Sequence, residues 1–265
     1  MRLTVVGCSG SFPGPSGAAS CYLLEADSLA TDGSPYTYRV LLDLGSGSLG
    51  PLQRYCALEE IDGIAITHLH ADHYLDACGL YVYLKYRPGG PSPRRPVLYG
   101  PAGAGKRLAR AYDLPLVPGM HSEFDILAWT AEVPVRIGPL TLTAYRVAHP
   151  VPAYAIRVEG PREDGSGTAV LAYSGDTDVC SGLARAAAGA DVFLCEAAFH
   201  EGRDEYHGVH LTGLRAGQVA GEAGVGALVL THVPPWNDPE RTRGEAKEVW
   251  DGPLDLAYPG MVITL

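Results

Sequence analysis

Residues 66–76 read ITHLHADHYLD and set His68, His70, Asp72 and His73 within six positions. The apolar run "DGIAIT" precedes them, and "HYLDACGLYVYLKYR", with apolar residues three and four apart, follows. This spacing predicts a strand closing near His68, a tight loop, and a helix starting at Tyr74. Along extended backbone His68 and His70 share a side, and Asp72 and His73 then face a second position. Imidazole and carboxylate are good ligands for first-row divalent cations. A single such residue has an ordinary explanation as a lone histidine or a helix-capping aspartate. Four together point to metal.

Two metals need more donors than one loop offers. Three further candidates each follow an apolar run directly: His149 after "TAYRVA", Asp176 after "AVLAYSG" and His232 after "ALVLT". Site residues of layered α/β proteins gather at such carboxyl ends of strands. Further runs of the same kind include "LTVVG", "CYLLEA", "YRVLLDLGSG", "PVLYGP", "AYAIRVEG" and "ADVFLCEA", rich in Val, Ile, Leu and Tyr and closed by Gly, Pro, Asp or His. Between them, helical spacing or Ala-rich composition marks "GAGKRLARAYDL", "TGLRAGQVAGEAG" and "PERTRGEAKEVWD". The layout is α/β, with two sheets or one strongly curved sheet. "ADSLATDGSPYTYRV" reads as a polar hairpin or loop, and "RPGGPSPRRP" (87–96) as a solvated connection that could border a cleft.

No linker divides the 265 residues, so a single domain over 1–265 is expected. A formal net charge of −10 argues against a broad surface for nucleic-acid backbones, because such affinity comes from Lys and Arg displacing counterions. The opening "MRLTVVGCSG" has no basic flank leading into a long apolar stretch, and no run approaches the roughly 20 apolar residues of a membrane span. The expectation is a cytoplasmic protein without membrane contact. Its six cysteines form no CxxC pair and read as reduced, buried thiols.

Taken in order, "THLHADH", "AHP", "YSGDT", "CEAAF", "HLTG" and "THVPP" resemble the metallo-β-lactamase superfamily over most of the chain, and within it the branch of ribonuclease Z and related phosphodiesterases. More narrowly, "GCSGSFPGP", "YSGDT" and "LTHVPPW" are similar to an actinobacterial group of atypical cyclic-AMP phosphodiesterases. The resemblance implies a four-layer αββα sandwich with two divalent metal ions at one edge. Zinc is expected first, with manganese or iron as alternatives. It further implies that His68, His70 and His149 hold one metal, that Asp72, His73 and His232 hold the other, and that Asp176 bridges them. Asp43 matches an aspartate that supports a ligand, though a turn former at a strand end explains it as well.

For catalysis the resemblance implies Asp72, His210 and Glu196. His210 would donate the proton to the leaving group and Glu196 would orient it; His207, close by in sequence, stays open as an alternative donor. His121 and His200 lack spacing partners and read as surface or structural residues. "GPAGAGKR" (100–107) outlines a phosphate-binding loop, but Arg107 stands where Ser or Thr should reach a magnesium ion, so a plain strand–loop–helix joint is expected.

The expected reaction is hydrolysis of a small phosphodiester, first of all a 3′,5′-cyclic nucleotide such as cyclic AMP, by hydroxide shared between two cations about 3.5–4 Å apart. Alternatives are tRNA 3′-processing, lactone or thioester hydrolysis, and a carrier module without turnover. The family's tRNA endonucleases carry a flexible arm between the third histidine motif and the bridging aspartate, whereas here His149 and Asp176 are 27 positions apart, room for a hairpin only. A homodimer is expected from the same resemblance.

Overall fold

The computed structural model describes all 265 residues. Its strands in chain order are β1 (Arg2–Ser9), β2 (Ala18–Ala19), β3 (Cys21–Leu29), β4 (Pro35–Leu42), β5 (Gly63–Ala65), β6 (Val97–Gly100), β7 (Asp125–Ala128), β8 (Val135–Ile137), β9 (Leu140–Arg146), β10 (Tyr154–Pro161), β11 (Thr168–Tyr173), β12 (Val192–Glu196), β13 (Ala227–Thr231), β14 (Leu254–Leu256) and β15 (Val262–Thr264). The helices are α1 (Leu49–Leu52), α2 (Ala71–Tyr74), α3 (Ala77–Tyr86), α4 (Ala104–Ala111), α5 (Ser181–Ala187), α6 (Gly213–Ala223) and α7 (Pro239–Lys247). The strands form two mixed sheets, ordered β15-β1-β3-β4-β5-β6-β7, with β2 beside β1, and β14-β13-β12-β11-β10-β9-β8.

Successive residues of a strand point to opposite faces, and this alternation sorts the apolar side chains into three cores. Tyr22 and Leu24 of β3, Val40 and Leu42 of β4, Leu171 and Tyr173 of β11, and Leu194 of β12 meet between the sheets. Their neighbours Cys21, Leu23 and Leu41 face α1, α3 and α4. On the second sheet Phe193, Cys195, Leu228 and Leu230 face α5, α6 and α7. Both faces of each sheet are therefore buried, and the architecture is the αββα sandwich. Near-continuous apolar runs follow from that burial.

Local chemistry sets the helix ends. Thr212 caps α6 by accepting from the Arg215 N–H at 3.2 Å, and Gly224 closes it in a left-handed conformation. Asp238 caps α7 with Pro239 in its first turn. The predicted polar hairpin is one: β3 and β4 run antiparallel out to Leu29 and Pro35. Residues 100–107 form a strand–turn–helix joint without site residues, as "GPAGAGKR" led us to expect.

One local expectation is corrected. Helix begins at Ala71, not Tyr74: His70 is extended, at φ −86° and ψ 148°, and Asp72 and His73 lie in a first helical turn instead of a loop. That turn halts before Asp76, whose carboxylate accepts from the Leu49 N–H at 2.8 Å, and α3 restarts at Ala77.

Candidate metal centre

The carboxyl ends of β4, β5, β9, β11, β12 and β13 meet at one edge of the sandwich, and each delivers a polar side chain from its last residue or from the three that follow. Asp43 and His232 leave their strands in the left-handed region, at φ 59° and 55°. Each such non-glycine residue stores on the order of 1 kcal/mol or more of strain, tolerated where a side chain must be aimed. Two glycines permit the close approach. A Cβ on Gly45 would lie 1.9 Å from the Asp72 carbonyl oxygen, and one on Gly10 would lie 2.2 Å from that of His232.

All seven predicted metal ligands converge. His68 Nε2 lies 3.0 Å from His70 Nδ1 and 3.5 Å from Asp176 Oδ2, and His149 Nε2 is 3.2 Å from His70 Nδ1. Beside this group, His73 Nε2 lies 3.4 Å from Asp72 Oδ2 and 3.2 Å from Asp176 Oδ1. His232 Nε2 is 3.3 Å from Asp176 Oδ2 and 3.8 Å from Asp72 Oδ2. Asp176 thus belongs to both groups.

The donors fit divalent cations. Ligands 2.0–2.1 Å from a tetrahedral ion stand roughly 3.3 Å from one another, close to the separations observed. Proton count points the same way. Thr67 Oγ1 is within 2.9 Å of the Asp43 carboxylate, which takes its single hydrogen, so His68 Nδ1, 3.1 Å away, donates to it and Nε2 is bare. His149 Nδ1–H donates to the Val209 carbonyl at 2.8 Å, so its Nε2 is bare too. Two lone pairs then face His70 Nδ1, which carries one proton at most. In the second group His73 Nε2, Asp176 Oδ1 and His232 Nε2 are buried without any hydrogen-bond partner. Such polar atoms are rarely left unpaired in a protein interior.

Electrostatics agree. Burial pushes His68 well below the usual imidazole range and also lowers His70, His149 and His232, keeping them neutral, as ligands must be. At Asp72 burial works against the charge, but His73 and His232 outweigh it and hold the carboxyl below its ordinary value. His73 is the exception: burial opposes its charge, yet Asp176 and Asp43 outweigh burial and raise it, because positive charge is what this pocket lacks.

Supporting contacts orient the rings. Asp43 accepts His73 Nδ1–H at 2.7 Å, the Tyr173 hydroxyl at 2.8 Å and the Thr67 N–H at 2.8 Å. It supports a ligand, the first of the two readings of that residue. Ser20 Oγ sits 3.0 Å from His232 Nδ1. Thr67, Tyr173, Ser20 and the Val209 carbonyl were not found by sequence reasoning. Only the seryl and threonyl positions beside strand ends offered a signal, and a common one.

Glu196 is fully buried and accepts from the backbone N–H groups of Thr177 at 2.9 Å and Ala198 at 3.0 Å. Its Oε1 also accepts His210 Nδ1–H at 2.8 Å. The His210 ring stands 5.4 Å from that of His149 and 5.7 Å from that of His232, with its side chain 13% exposed. Burial disfavours its charge, but the Glu196 carboxylate and Asp176 outweigh burial and push it up to about 9. His207 lies in solvent, its side chain 80% exposed, with the Asp178 carboxylate 3.9 Å away. His200 is buried near Glu245 in a structural position, and His121 is exposed outside the site.

A family model described as a beta-lactamase superfamily domain matches residues 38–233, more than half of the chain. The chain belongs to this superfamily. The uncharacterized protein Rv1339 of Mycobacterium tuberculosis is 42% identical over 96% of this chain and 88% of its own length. The probable metallo-hydrolase YhfI of Bacillus subtilis is 31% identical over 99% of both chains. Its crystal structure, a metallo-beta-lactamase fold protein, superposes with a TM-score of 0.80 at 29% identity, covering 99% of this chain and 98% of that one. Ribonuclease Z of Myxococcus xanthus is 28% identical over 85% of this chain and 88% of its own length. Superfamily membership and the His/Asp cluster together make the chain a metal-dependent hydrolase. No helix is long and apolar enough to cross a membrane.

Proposed function

We propose that the protein is a dinuclear metal-dependent phosphodiesterase acting on a small substrate, first of all a 3′,5′-cyclic nucleotide such as cyclic AMP. The observation that carries this reading is the pair of donor groups joined through Asp176, with the His210–Glu196 pair beside them. His68, His70 and His149 would hold one cation, and Asp72, His73 and His232 the other, with Asp176 between. Zinc suits such a set, with manganese or iron as alternatives. Two divalent cations bound there would supply fixed positive charge for the phosphate's non-bridging oxygens and a water acidic enough to attack near neutral pH.

The chain supplies the rest. Asp43 and the Val209 carbonyl, which can only accept, hold His73 and His149 in one tautomer each, so their Nε2 lone pairs face inward without reorganisation, and Ser20 steadies the His232 ring. Glu196 keeps the proton of His210 on Nδ1, and protonated His210 has Nε2 left to give a proton to the departing alkoxide. Glu196 is itself fixed by two backbone donors and cannot swing away.

The stretch between His149 and Asp176 favours a small substrate. It forms the β10–β11 hairpin, closed around Arg162–Gly167, and offers no arm for a folded RNA. The net charge of −10 weighs the same way. A small-molecule phosphodiester as partner, a homodimer and a cytoplasmic location belong to this proposal. The likeness to ribonuclease Z of Myxococcus xanthus supports phosphodiester chemistry and keeps tRNA 3′-processing as the second reading.

The test offers metal-loaded protein cyclic AMP, cyclic GMP, an aryl phosphodiester, a precursor tRNA and a lactone side by side, with His73→Ala as control. Turnover of cyclic nucleotides, lost in the variant, is expected. Turnover of the precursor tRNA or the lactone alone overturns the proposal.

A further inference from the structure

Two large aromatic side chains, carried by the loop packed on His232 and by the segment that follows it, remain in solvent and touch each other. Phe12 is 42% exposed and Trp236 60% exposed, yet their ring centroids stand 5.1 Å apart at an interplanar angle of 41°. Apolar rings of this size ordinarily leave water. Here the backbone holds them out as a pair.

The loop after β1 carries Phe12 and is locked to the segment that follows His232. Ser9 bridges Val233, and the Gly10 N–H donates to the Val233 carbonyl at 3.2 Å. A Cβ on Gly10 would lie 3.0 Å from His232 Cδ2, so this loop is a wall of the metal centre on the Asp72–His232 side. Pro13 reaches Gly47, two residues past Gly45 on the Asp72 backbone, and Gly14 faces Pro235, so the wall spans both neighbouring loops. Its crest is shaped by Ser11 in the left-handed region at φ 63°. Phe12 follows directly, its N–H donating to the Gly10 carbonyl at 2.7 Å and its carbonyl accepting the Ser9 hydroxyl at 2.8 Å. Trp236 stands four residues past His232. A different aromatic, Phe199, packs against the His210 ring at 5.0 Å.

We infer that Phe12 and Trp236 form a stacking platform for the heterocyclic base of a nucleotide substrate, making them specificity-determining residues that take no part in bond cleavage. The inference rests on the phosphodiesterase reading for its substrate class. Every base has a flat π-face, and neither ring places a hydrogen-bonding group to read its edge except the Trp236 indole N–H, so the platform favours nucleotides over base-free diesters with little choice among bases.

The experiment compares wild type with Phe12→Ala, Trp236→Ala and the ring-conserving Trp236→Phe. KM and kcat are measured for cyclic AMP and for abasic ribose 3′,5′-cyclic phosphate, and tryptophan fluorescence is followed as adenosine 5′-monophosphate is added. Both alanine variants are expected to raise KM for cyclic AMP roughly tenfold or more, with kcat and the abasic KM little changed, and Trp236→Phe to recover most of the loss. Quenching by adenosine monophosphate should vanish in Trp236→Phe, because Trp129 is buried and Trp250 lies beyond α7. Unchanged KM for cyclic AMP in both alanine variants overturns the platform while leaving the phosphodiesterase reading intact; equal losses on both substrates overturn it too, as a merely structural wall would give them. If wild type cleaves no phosphodiester yet nucleotide quenches Trp236, the platform stands and the reaction reading falls.

Discussion

Asp43 shows how much of the centre is decided by a single residue that touches no ion. Its carboxylate takes the His73 N–H, the Tyr173 hydroxyl and the Thr67 backbone N–H, and so sets which nitrogen of His73 faces Asp176. Asp43→Asn keeps the shape but presents an N–H where a donor must be received. Metal affinity should fall about 10- to 100-fold, read by titration against a chelating dye. At Glu196 the direction of a pH effect follows from its charge. Burial opposes the His210 charge, but the Glu196 carboxylate and Asp176 outweigh it and push the ring up to about 9, so the protonated donor is present below that pH and lost as pH rises through it. Glu196→Gln removes the charge, lowers that pKa, and should move the alkaline limb of the kcat–pH profile to lower pH. His210→Ala should cut kcat on the order of 100-fold or more while metal content stays the same. Unshifted alkaline behaviour in Glu196→Gln would place the proton elsewhere.

Among elements, the short helix α2 and the loop after β4 are the most demanding joint. Gly45 packs against the carbonyl of Asp72, the Leu44 N–H donates to the His73 carbonyl at 2.8 Å, and the Asp76 N–H donates to the Leu44 carbonyl at 3.2 Å. This backbone pairing makes Asp72 and His73 helical where their spacing alone suggests a loop. A methyl at Gly45 would meet backbone, which cannot step aside. Gly45→Ala should therefore cost about 1–3 kcal/mol or more, seen as a lowered denaturation midpoint, and should weaken the Asp72–His73–His232 group more than the His68–His70–His149 group. The strands least visible beforehand were β7, β8, β14 and β15. They are three or four residues long, lie at or next to sheet edges and are largely exposed, so they carry too few apolar residues to stand out.

For the whole molecule, the centre joins two sheets whose interior contact is apolar, while at its margins polar contacts such as the 2.9 Å Arg2–Glu163 ion pair also link them. Tyr22 of the first sheet shares a 2.6 Å hydrogen bond with Thr231 of the second, the Tyr154 N–H donates to the Thr67 carbonyl at 3.1 Å, and Tyr173 reaches Asp43. Each sheet supplies ligands to both donor groups even before Asp176 is counted: His68 and His70 against His149, and Asp72 and His73 against His232. Bound cations would hold the sheets together, and their removal would leave buried carboxylates with too little positive charge. Chelator treatment should lower Tm by about 5–10 °C, reversed by restoring the metal, as measured by calorimetry. A Tm indifferent to chelator would mean that the ions carry little of the folding energy.

Donor identity and placement belong to the sequence: H-x-H-x-D-H after an apolar run, and His149, Asp176 and His232 each following another, need no coordinates to suggest a paired-cation site, because costly polar groups at strand ends are rare without a partner. Only the folded chain decided that these segments meet, that His210 and not His207 pairs with Glu196, and that Tyr173 supports Asp43 from 130 positions away. Hydrogen bonds between distant segments leave no periodic trace along the chain. They arise when three apolar cores bring the strand ends to one edge, and the direction of each ring follows from that packing.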